Sequence, residues 1–125
     1  MERIDVVLWL SAFACGVVTL YLSLWAVPLG TKAFPGADKV EHGVAYFVTA
    51  LLLLLAAVWR PGRGDGPLAR WWWGVLGALF VAGGLIELVQ TQIGRRGEWN
   101  DWLAEIVAVA LAWAAISALR ALDAR

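Results

Sequence analysis

Residues 6–29 read VVLWLSAFACGVVTLYLSLWAVPL, a run of 24 residues without a charged side chain. A helix needs about 20 apolar residues to cross the hydrocarbon core of a bilayer, so this stretch is long enough to span a membrane. A cleaved signal peptide is the competing interpretation. It fits less well, because the preceding Met-Glu-Arg-Ile-Asp is not a basic segment and the apolar run is too long. The stretch therefore predicts a first transmembrane helix.

The composition of the chain is also typical of a membrane protein. Of the 125 residues, 62% are hydrophobic and 16% are charged, whereas soluble domains are roughly 45–50% apolar. Nine tryptophans fit the aromatic belt that lies at a membrane interface. Ten Lys and Arg balance ten Asp and Glu, which leaves no net positive field and excludes nucleic acid as a partner. One cysteine and one histidine exclude an internal disulfide and a His/Cys zinc cage.

Three further apolar runs are shorter, and each reaches spanning length only by including polar residues. Their uncharged parts are residues 43–59, 71–86 and 106–119. Extended to about 20 residues each, they predict spans at 38–59, 71–93 and 100–119, in addition to the first span at 6–29. The connections between spans carry Gly and Pro, which are typical of turns. The sequence thus predicts one all-α domain over residues 1–125, a bundle of four transmembrane helices.

The basic residues of the loops set the expected orientation. With the N-terminus inside, six basic residues fall on the cytoplasmic side and four on the other; the six are Arg3, Arg60, Arg63, Arg70, Arg120 and Arg125, and the four are Lys32, Lys39, Arg95 and Arg96. Cytoplasmic loops carry an excess of Lys and Arg, so we expect both termini in the cytoplasm and a multi-pass protein of the cytoplasmic membrane. The tryptophans at 25, 59, 71–73, 99 and 102 fall at predicted helix ends, which supports these boundaries.

Polar residues concentrate at one end of the predicted bundle. The start of span two, the end of span three and the start of span four share one membrane face, and they carry Asp38, Lys39, Glu41, His42, Glu87, Gln90, Gln92, Asp101 and Glu105. The opposite ends carry no comparable set. At 1.5 Å per residue, His42, Glu87 and Glu105 lie roughly 6–9 Å inside their helix ends. Ionisable groups at that depth are costly, and they usually face a polar cavity or one another.

Helical spacing places these polar side chains on shared faces. The sets are Asp38, His42 and Tyr46 at intervals of four, Glu87 and Gln90 at an interval of three, and Asp101 and Glu105 at an interval of four. Residues three or four apart lie on the same face of a helix. The sequence therefore predicts that three polar stripes converge on one pocket.

Several chemistries suit such a pocket. A carboxylate from Asp38, Glu87, Asp101 or Glu105 could orient His42 and raise its basicity. Arg95 or Arg96 could bind a phosphate or carboxylate with two hydrogen bonds. A hard cation is a further option, since carboxylates with an amide suit magnesium or calcium better than zinc.

Plainer interpretations stand beside these. Asp38 and Asp101 fit N-caps, Arg95 and Arg96 fit interfacial anchors, and a lone His42 fits a packing residue. Glu87 has no such explanation, because it lies near a helix C-terminus where the helix dipole disfavours an acid. Four glycines of the third span are predicted to permit close helix packing rather than chemistry; they are Gly74, Gly77, Gly83 and Gly84.

Three motifs of the chain resemble those of the VanZ-like family. They are Asp38-Lys39-Val40-Glu41-His42, Glu87-Leu88-Val89-Gln90, and Arg96 followed by Asp101-Trp102-Leu103-Ala104. The family pattern is Asp-Lys-x-x-His, then Glu-x-x-Gln, then an Arg followed by Asp-x-x-x-Asn, so the resemblance covers residues 38–108 in order. The chain departs from the pattern at Glu105 and Ala108, where the family commonly has Asn and Gly.

The resemblance implies a small integral membrane protein of the bacterial or archaeal cell envelope. The founding member of the family is associated with low-level resistance to the glycopeptide teicoplanin, and no reaction follows from the family name. We expect action at the outer face of the membrane, on or with a lipid headgroup or another envelope component. The candidate catalytic residues are His42, Glu87, Asp38 and Asp101. The candidate substrate-binding residues are Lys39, Gln90, Arg96, Tyr46 and Glu105. No metal or cofactor is assigned.

Two other functions stay open at this point. In the first, the chain is a non-catalytic structural or binding module of an envelope complex, and its polar cluster serves helix packing. In the second, it is a proton-coupled carrier, since intramembrane acids and histidines also build proton relays. The expected partners are the bilayer and an anionic lipid or cell-wall precursor headgroup, with a second copy or an envelope protein left open.

Overall fold

The computed structural model describes residues 2–24, 37–92 and 99–125. Its long helices are α1 (Arg3–Leu24), α2 (Ala37–Ala57), α3 (Trp72–Gln92) and α4 (Trp99–Asp123). Two short strands, β1 (Trp59–Arg60) and β2 (Gly64–Asp65), and a 3₁₀ helix (Ala69–Trp71) connect α2 to α3. All four long helices have the length and apolarity needed to cross a membrane. The predicted class is confirmed at this level, and it indicates a multi-pass membrane protein.

Helices α1 and α4 reach further than predicted at their charged ends. Helix α1 begins at Arg3 rather than at residue 6, and Asp5 lies in its first turn. Helix α4 runs to Asp123 rather than to 119, with Arg120 in its last turn. An acid near a helix N-terminus and a base near a C-terminus both interact favourably with the helix dipole. The charges therefore extend these helices beyond the apolar runs that predicted them.

Helix α2 lies at the centre of the bundle, against α1 and α4. Ala50 and Ala112 are fully buried between α2 and α4, with Leu54 and Ile116 beside them. Small side chains let helix backbones approach closely where dispersion, rather than water exclusion, holds helices together. Helix α3 packs mainly against α4 and is the most exposed of the four.

A hydrogen-bonded pair of threonines joins α1 to α2 inside the apolar bundle. The Thr19 and Thr49 hydroxyl oxygens are 3.2 Å apart, and each also lies within hydrogen-bond distance of the carbonyl one turn earlier, at Cys15 and Ala45. Because each hydroxyl has one proton, one threonine donates to its carbonyl while the other donates across to it. Gly16 lies opposite Thr49, whose methyl group would be 3.9 Å from a Cβ at that glycine. Polar contacts of this kind add to the packing of membrane helices.

The connection between α2 and α3 is a β-hairpin rather than the plain turn that its composition predicts. Trp59 pairs with Asp65 and Arg60 with Gly64 in an antiparallel register. The Arg63 N–H donates to the Arg60 carbonyl at 3.1 Å, and Gly62 has a φ of 71°. Pro at the second and Gly at the third position, the latter with positive φ, are the signature of a type II turn.

The hairpin closes the C-terminal end of α2. The N–H of Gly66 donates to the Val58 carbonyl at 2.8 Å, and the N–H of Leu68 donates to the Ala57 carbonyl at 2.6 Å. These bonds satisfy carbonyls that a helix end otherwise leaves unpaired. A Cβ at Gly66 would lie 2.6 Å from the Ala57 oxygen, so the position requires glycine.

Trp59 is an exception to the predicted belt of interfacial tryptophans. It is 3% exposed and belongs to the core, because the hairpin folds it inward. Trp71 and Trp73, at the start of α3, are exposed at 63% and 67%, as an interfacial position requires. The positions of Trp25 and the Trp99 side chain lie outside the described residues.

Candidate functional site

Five polar side chains from three helices are buried at the end of the bundle opposite the termini. His42 and Tyr46 lie on α2, Glu87 and Gln90 on α3, and Glu105 on α4. Each pair on a helix has the three- or four-residue spacing that puts both members on one face. The five are 9% exposed or less, although the surrounding helices are apolar. We call this set the polar centre.

Tyr46 connects the three helices of the polar centre electrostatically. Its buried phenol interacts with the carboxylate of Glu105 on α4 and with that of Glu87 on α3. His42, Glu87, Gln90 and Glu105 each engage at least one further group. The polar stripes of α2, α3 and α4 thus reach one common region.

The carboxylate of Glu105 packs directly on the backbone of α3 at Gly83. A Cβ at Gly83 would overlap Oε2 of Glu105 and would lie 3.2 Å from Cδ1 of Trp102. The Trp102 ring covers the next glycine, Gly84, where a Cβ would lie 3.5 Å from the indole. Its Nε1–H donates to the Phe80 carbonyl at 3.2 Å. Gly83 therefore leaves the space that the Glu105 carboxylate occupies, whereas a Cβ at Gly84 would make only ordinary van der Waals contact with the Trp102 ring.

The sequence predicts close helix packing at all four glycines of α3, but the structure shows it at only two of them. Gly83 and Gly84 hold α4 close, as predicted, but at Gly74 and Gly77 no described atom outside the helix's own adjacent backbone lies within 4 Å of where a Cβ would be. Close packing is therefore the wrong prediction for Gly74 and Gly77 within this chain. The signal that separates the pairs is position, since only Gly83 and Gly84 lie at the depth of the acids.

The remaining predicted site residues lie outside what the structure describes. The backbone at Asp38, Lys39 and Asp101 is helical, but their side chains are outside the described residues. Arg95 and Arg96 are outside them entirely. Their predicted roles in the site stay predictions.

Metal binding finds no support among the described side chains. Among the described side chains, which do not include those of Asp38 and Asp101, no group of three or more His, Cys, Asp or Glu is arranged to hold a metal ion.

Comparison with known proteins adds no assignment. No family model, curated protein or solved structure matches this chain. The function therefore has to be argued from the residues of the polar centre and from the motifs that resemble the VanZ-like family.

The polar centre combines groups that can move a proton or hold a polar ligand. An imidazole, two carboxylates, a phenol and an amide lie in a region with little access to water. Hydrogen bonds and charge interactions are stronger in such surroundings than in water. Carboxylates beside a histidine are the groups that general acid–base chemistry uses most often.

A second polar cluster lies at the end of the bundle that carries the termini. The prediction that the helix ends on this side hold no set of polar residues comparable to the polar centre is therefore wrong. Asp5 of α1 is buried and forms an ion pair with Arg60 of the hairpin. Arg63 lies 3.3 Å from the same carboxylate and 2.7 Å from that of Glu2. The Gly62 N–H donates to Asp123 at 3.4 Å, so both termini meet the hairpin. The sequence did not predict this cluster, because Arg60 and Arg63 were explained as basic residues of a cytoplasmic loop. In addition, no turn pattern predicts a hairpin that reaches α1.

Proposed function

We propose that the protein is a VanZ-like integral membrane protein of the cytoplasmic membrane with both termini in the cytoplasm. It acts at the outer face, on or with an anionic lipid headgroup or another envelope component. The observation that carries this proposal is the burial of Tyr46, Glu87 and Glu105 together, with His42 one turn from Tyr46.

The cost of the polar centre is the first argument for a function. Removing a carboxylate from water costs several kcal/mol even after the protein relaxes. Ionisable groups inside membrane spans are rare for this reason, and they commonly mark a ligand or proton pathway. Leu, Ala and Val fill comparable depths elsewhere in these helices, so apolar packing was available at Glu87 and Glu105.

The depth of the centre is the second argument. His42 and Glu87 each lie five residues from the end of their helix, which is about 7.5 Å at 1.5 Å per residue. A lipid headgroup at the interface is within reach of groups at that depth. In this proposal His42 acts as the base and a neighbouring carboxylate orients it, while Lys39 and Arg96 hold the anionic group.

Glu105 has a different place in the proposal. It is 2% exposed, its carboxylate lies against Gly83 and interacts with Tyr46, and it lines the cavity of about 290 Å³ between α3 and α4, so it stays a candidate substrate-binding residue that reaches its ligand from inside the bundle. The VanZ-like family commonly has Asn at this point, so the acid departs from the family pattern and changes the charge of the pocket.

The direct test uses purified protein in detergent and a polyprenyl phosphate as the probe. We expect the wild type to release inorganic phosphate, His42→Ala to lose the release, and Asp65→Asn, an exposed carboxylate at the other end, to keep it. Equal release by the wild type and by a folded His42→Ala protein would overturn the enzymatic form of the proposal. So would the absence of release by the wild type.

A second candidate is a non-catalytic module whose polar centre serves helix packing. The close contact of the Glu105 carboxylate with Gly83 favours this packing role, because it restricts how α3 and α4 can pack against each other. In this case Glu87→Gln lowers the stability of the detergent-solubilised protein, and any teicoplanin resistance that expression confers falls together with that stability. A Glu87→Gln protein of unchanged stability that confers no resistance would contradict the packing role.

A further inference from the structure

Three neighbouring cavities of about 290, 360 and 330 Å³ follow α4 from its seam with α3 towards the end that carries the termini. The first and second share Trp113, and the second and third share Trp72 and Arg120. We call these three cavities together the seam groove.

The upper part of the seam groove is apolar and aromatic. Its wall includes Phe80, Trp73 and Trp113, and the Trp72 and Trp113 rings are parallel at a centroid distance of 6.0 Å. Helix α3 packs less extensively on α4 than α2 does, and the Trp73 and Trp113 rings lie across the seam with centroids 6.4 Å apart. In a bilayer, the molecule that fills an open apolar groove of this kind is a hydrocarbon chain.

The lower end of the seam groove is basic. Arg70 and Arg120 line the third cavity together with Asp65. Asp65 lies 3.4 Å from Arg120, but the two side chains are 64% and 46% exposed, and pairs this exposed are weak. Arg70 is exposed and makes no ion pair with any residue that the structure describes. Two guanidinium groups against one carboxylate leave a net positive charge at the level of the interfacial tryptophans.

We propose that the seam groove binds one anionic phospholipid from the leaflet on the side of the termini. Its phosphate lies between Arg70 and Arg120, and one acyl chain lies along the indoles.

The dimensions of the groove agree with a lipid chain. From Arg120 to Ala110 is ten residues of α4, or about 15 Å, and one leaflet is half of a hydrocarbon core of about 30 Å. A chain of that length that starts at Arg120 reaches about Ala110, and the first cavity continues beyond it to Trp102 and Glu105. The groove thus touches the polar centre at Glu105, but the phosphate and its basic partners lie at the opposite end, so this inference does not depend on the proposed function.

The test is a lipid titration of the purified protein in detergent, followed by native mass spectrometry. The probes are phosphatidylglycerol and phosphatidylcholine with the same chains. We expect phosphatidylglycerol to bind about tenfold more tightly, since each basic residue near a surface contributes about 1 kcal/mol to binding an anionic lipid and Asp65 offsets part of that. Asp65→Asn strengthens the preference.

Matched variants separate the headgroup from the chain. The double change Arg70→Gln with Arg120→Gln removes the preference, whereas Arg3→Gln with Arg125→Gln, equal in charge and exposed at the same end, leaves it. Ala121→Trp fills the groove and weakens binding of both lipids about tenfold, while Ala118→Trp, also exposed on α4 but outside the groove, does not. Circular dichroism verifies that each variant is folded.

Two results would overturn the proposal. One is an unchanged lipid preference in the Arg70/Arg120 variant, and the other is equal binding by Ala121→Trp and Ala118→Trp. Competition by glycerol 3-phosphate as strong as that by the intact lipid would also overturn it, because the acyl chain would then contribute nothing.

Discussion

Replacing Gly83 with alanine tests how closely α3 and α4 meet at the polar centre. The new methyl group overlaps Oε2 of Glu105 and comes within 3.2 Å of Cδ1 of Trp102, so the buried Glu105 carboxylate and the half-buried Trp102 ring must move. Overpacking of this kind costs about 1–3 kcal/mol. Alanine also gains about 0.5–1 kcal/mol over glycine inside a helix, which offsets part of that cost.

The matched control is Gly77→Ala in the same helix. A Cβ at Gly77 meets nothing within 4 Å, so this change keeps the helix gain without the overlap. The difference between the two variants therefore isolates the overpacking, and we expect Gly83→Ala to be about 1–3 kcal/mol less stable than Gly77→Ala. The assay is equilibrium unfolding in mixed detergent micelles, followed by circular dichroism.

A second background identifies the group that is displaced. In Glu105→Ala protein the carboxylate is gone, and the gap between the two glycine variants falls to less than half. In Glu105→Gln protein the amide has the same shape, and the gap persists. Equal stabilities of Gly83→Ala and Gly77→Ala would refute the close approach, and a gap unchanged by Glu105→Ala would assign it to Trp102 instead.

Three further expectations concern the rest of the bundle. Asp5→Asn loses about 1–3 kcal/mol of unfolding free energy, because the largely buried guanidinium of Arg60 keeps its charge without its partner. The exposed Asp65→Asn changes stability by less than about 0.5 kcal/mol. Unfolding in detergent compares the two variants, and equal losses would contradict the difference in burial. Thr49→Val costs about 0.6 kcal/mol, the average for a hydrogen bond between membrane helices, and a Thr19→Val/Thr49→Val double variant that loses the sum of the single losses would show that the two hydroxyls do not interact. In sealed inverted vesicles the cytoplasmic face of the membrane is outside, so we expect added protease to remove tags from both termini of the protein. Protection of either tag would contradict the orientation.

The apolar runs were sufficient to predict the four long helices, since each helix follows from length and hydropathy alone. The first was evident from residues 6–29, and the others required polar residues to be placed inside spans. The helix ends were less predictable. Helices α1 and α4 extend to Arg3 and Asp123, and the charges that favour these ends, Asp5 and Arg120, do not contribute to a hydropathy pattern.

The candidate site was predictable as residue types on helix faces, but its contacts were not. Helical spacing placed Tyr46 and Glu87 on inward faces, and both are buried. The packing of Glu105 on Gly83 depends on how α3 and α4 are rotated relative to each other. The periodicity of the residues along one helix does not determine that rotation. The pairing of Asp5 with Arg60 joins residues 55 positions apart through a hairpin, so it depends on tertiary structure.

The central claim is that polar side chains of different helices form one coupled centre at the end opposite the termini. A double-mutant cycle between Tyr46→Phe on α2 and Glu87→Gln on α3, measured by unfolding in detergent, tests it most directly. Residues in one network show coupling energies of about 0.5–3 kcal/mol, whereas distant residues are additive. We predict coupling in that range for this pair and additivity for Tyr46→Phe with Asp65→Asn. Additivity of Tyr46→Phe and Glu87→Gln would contradict a common centre.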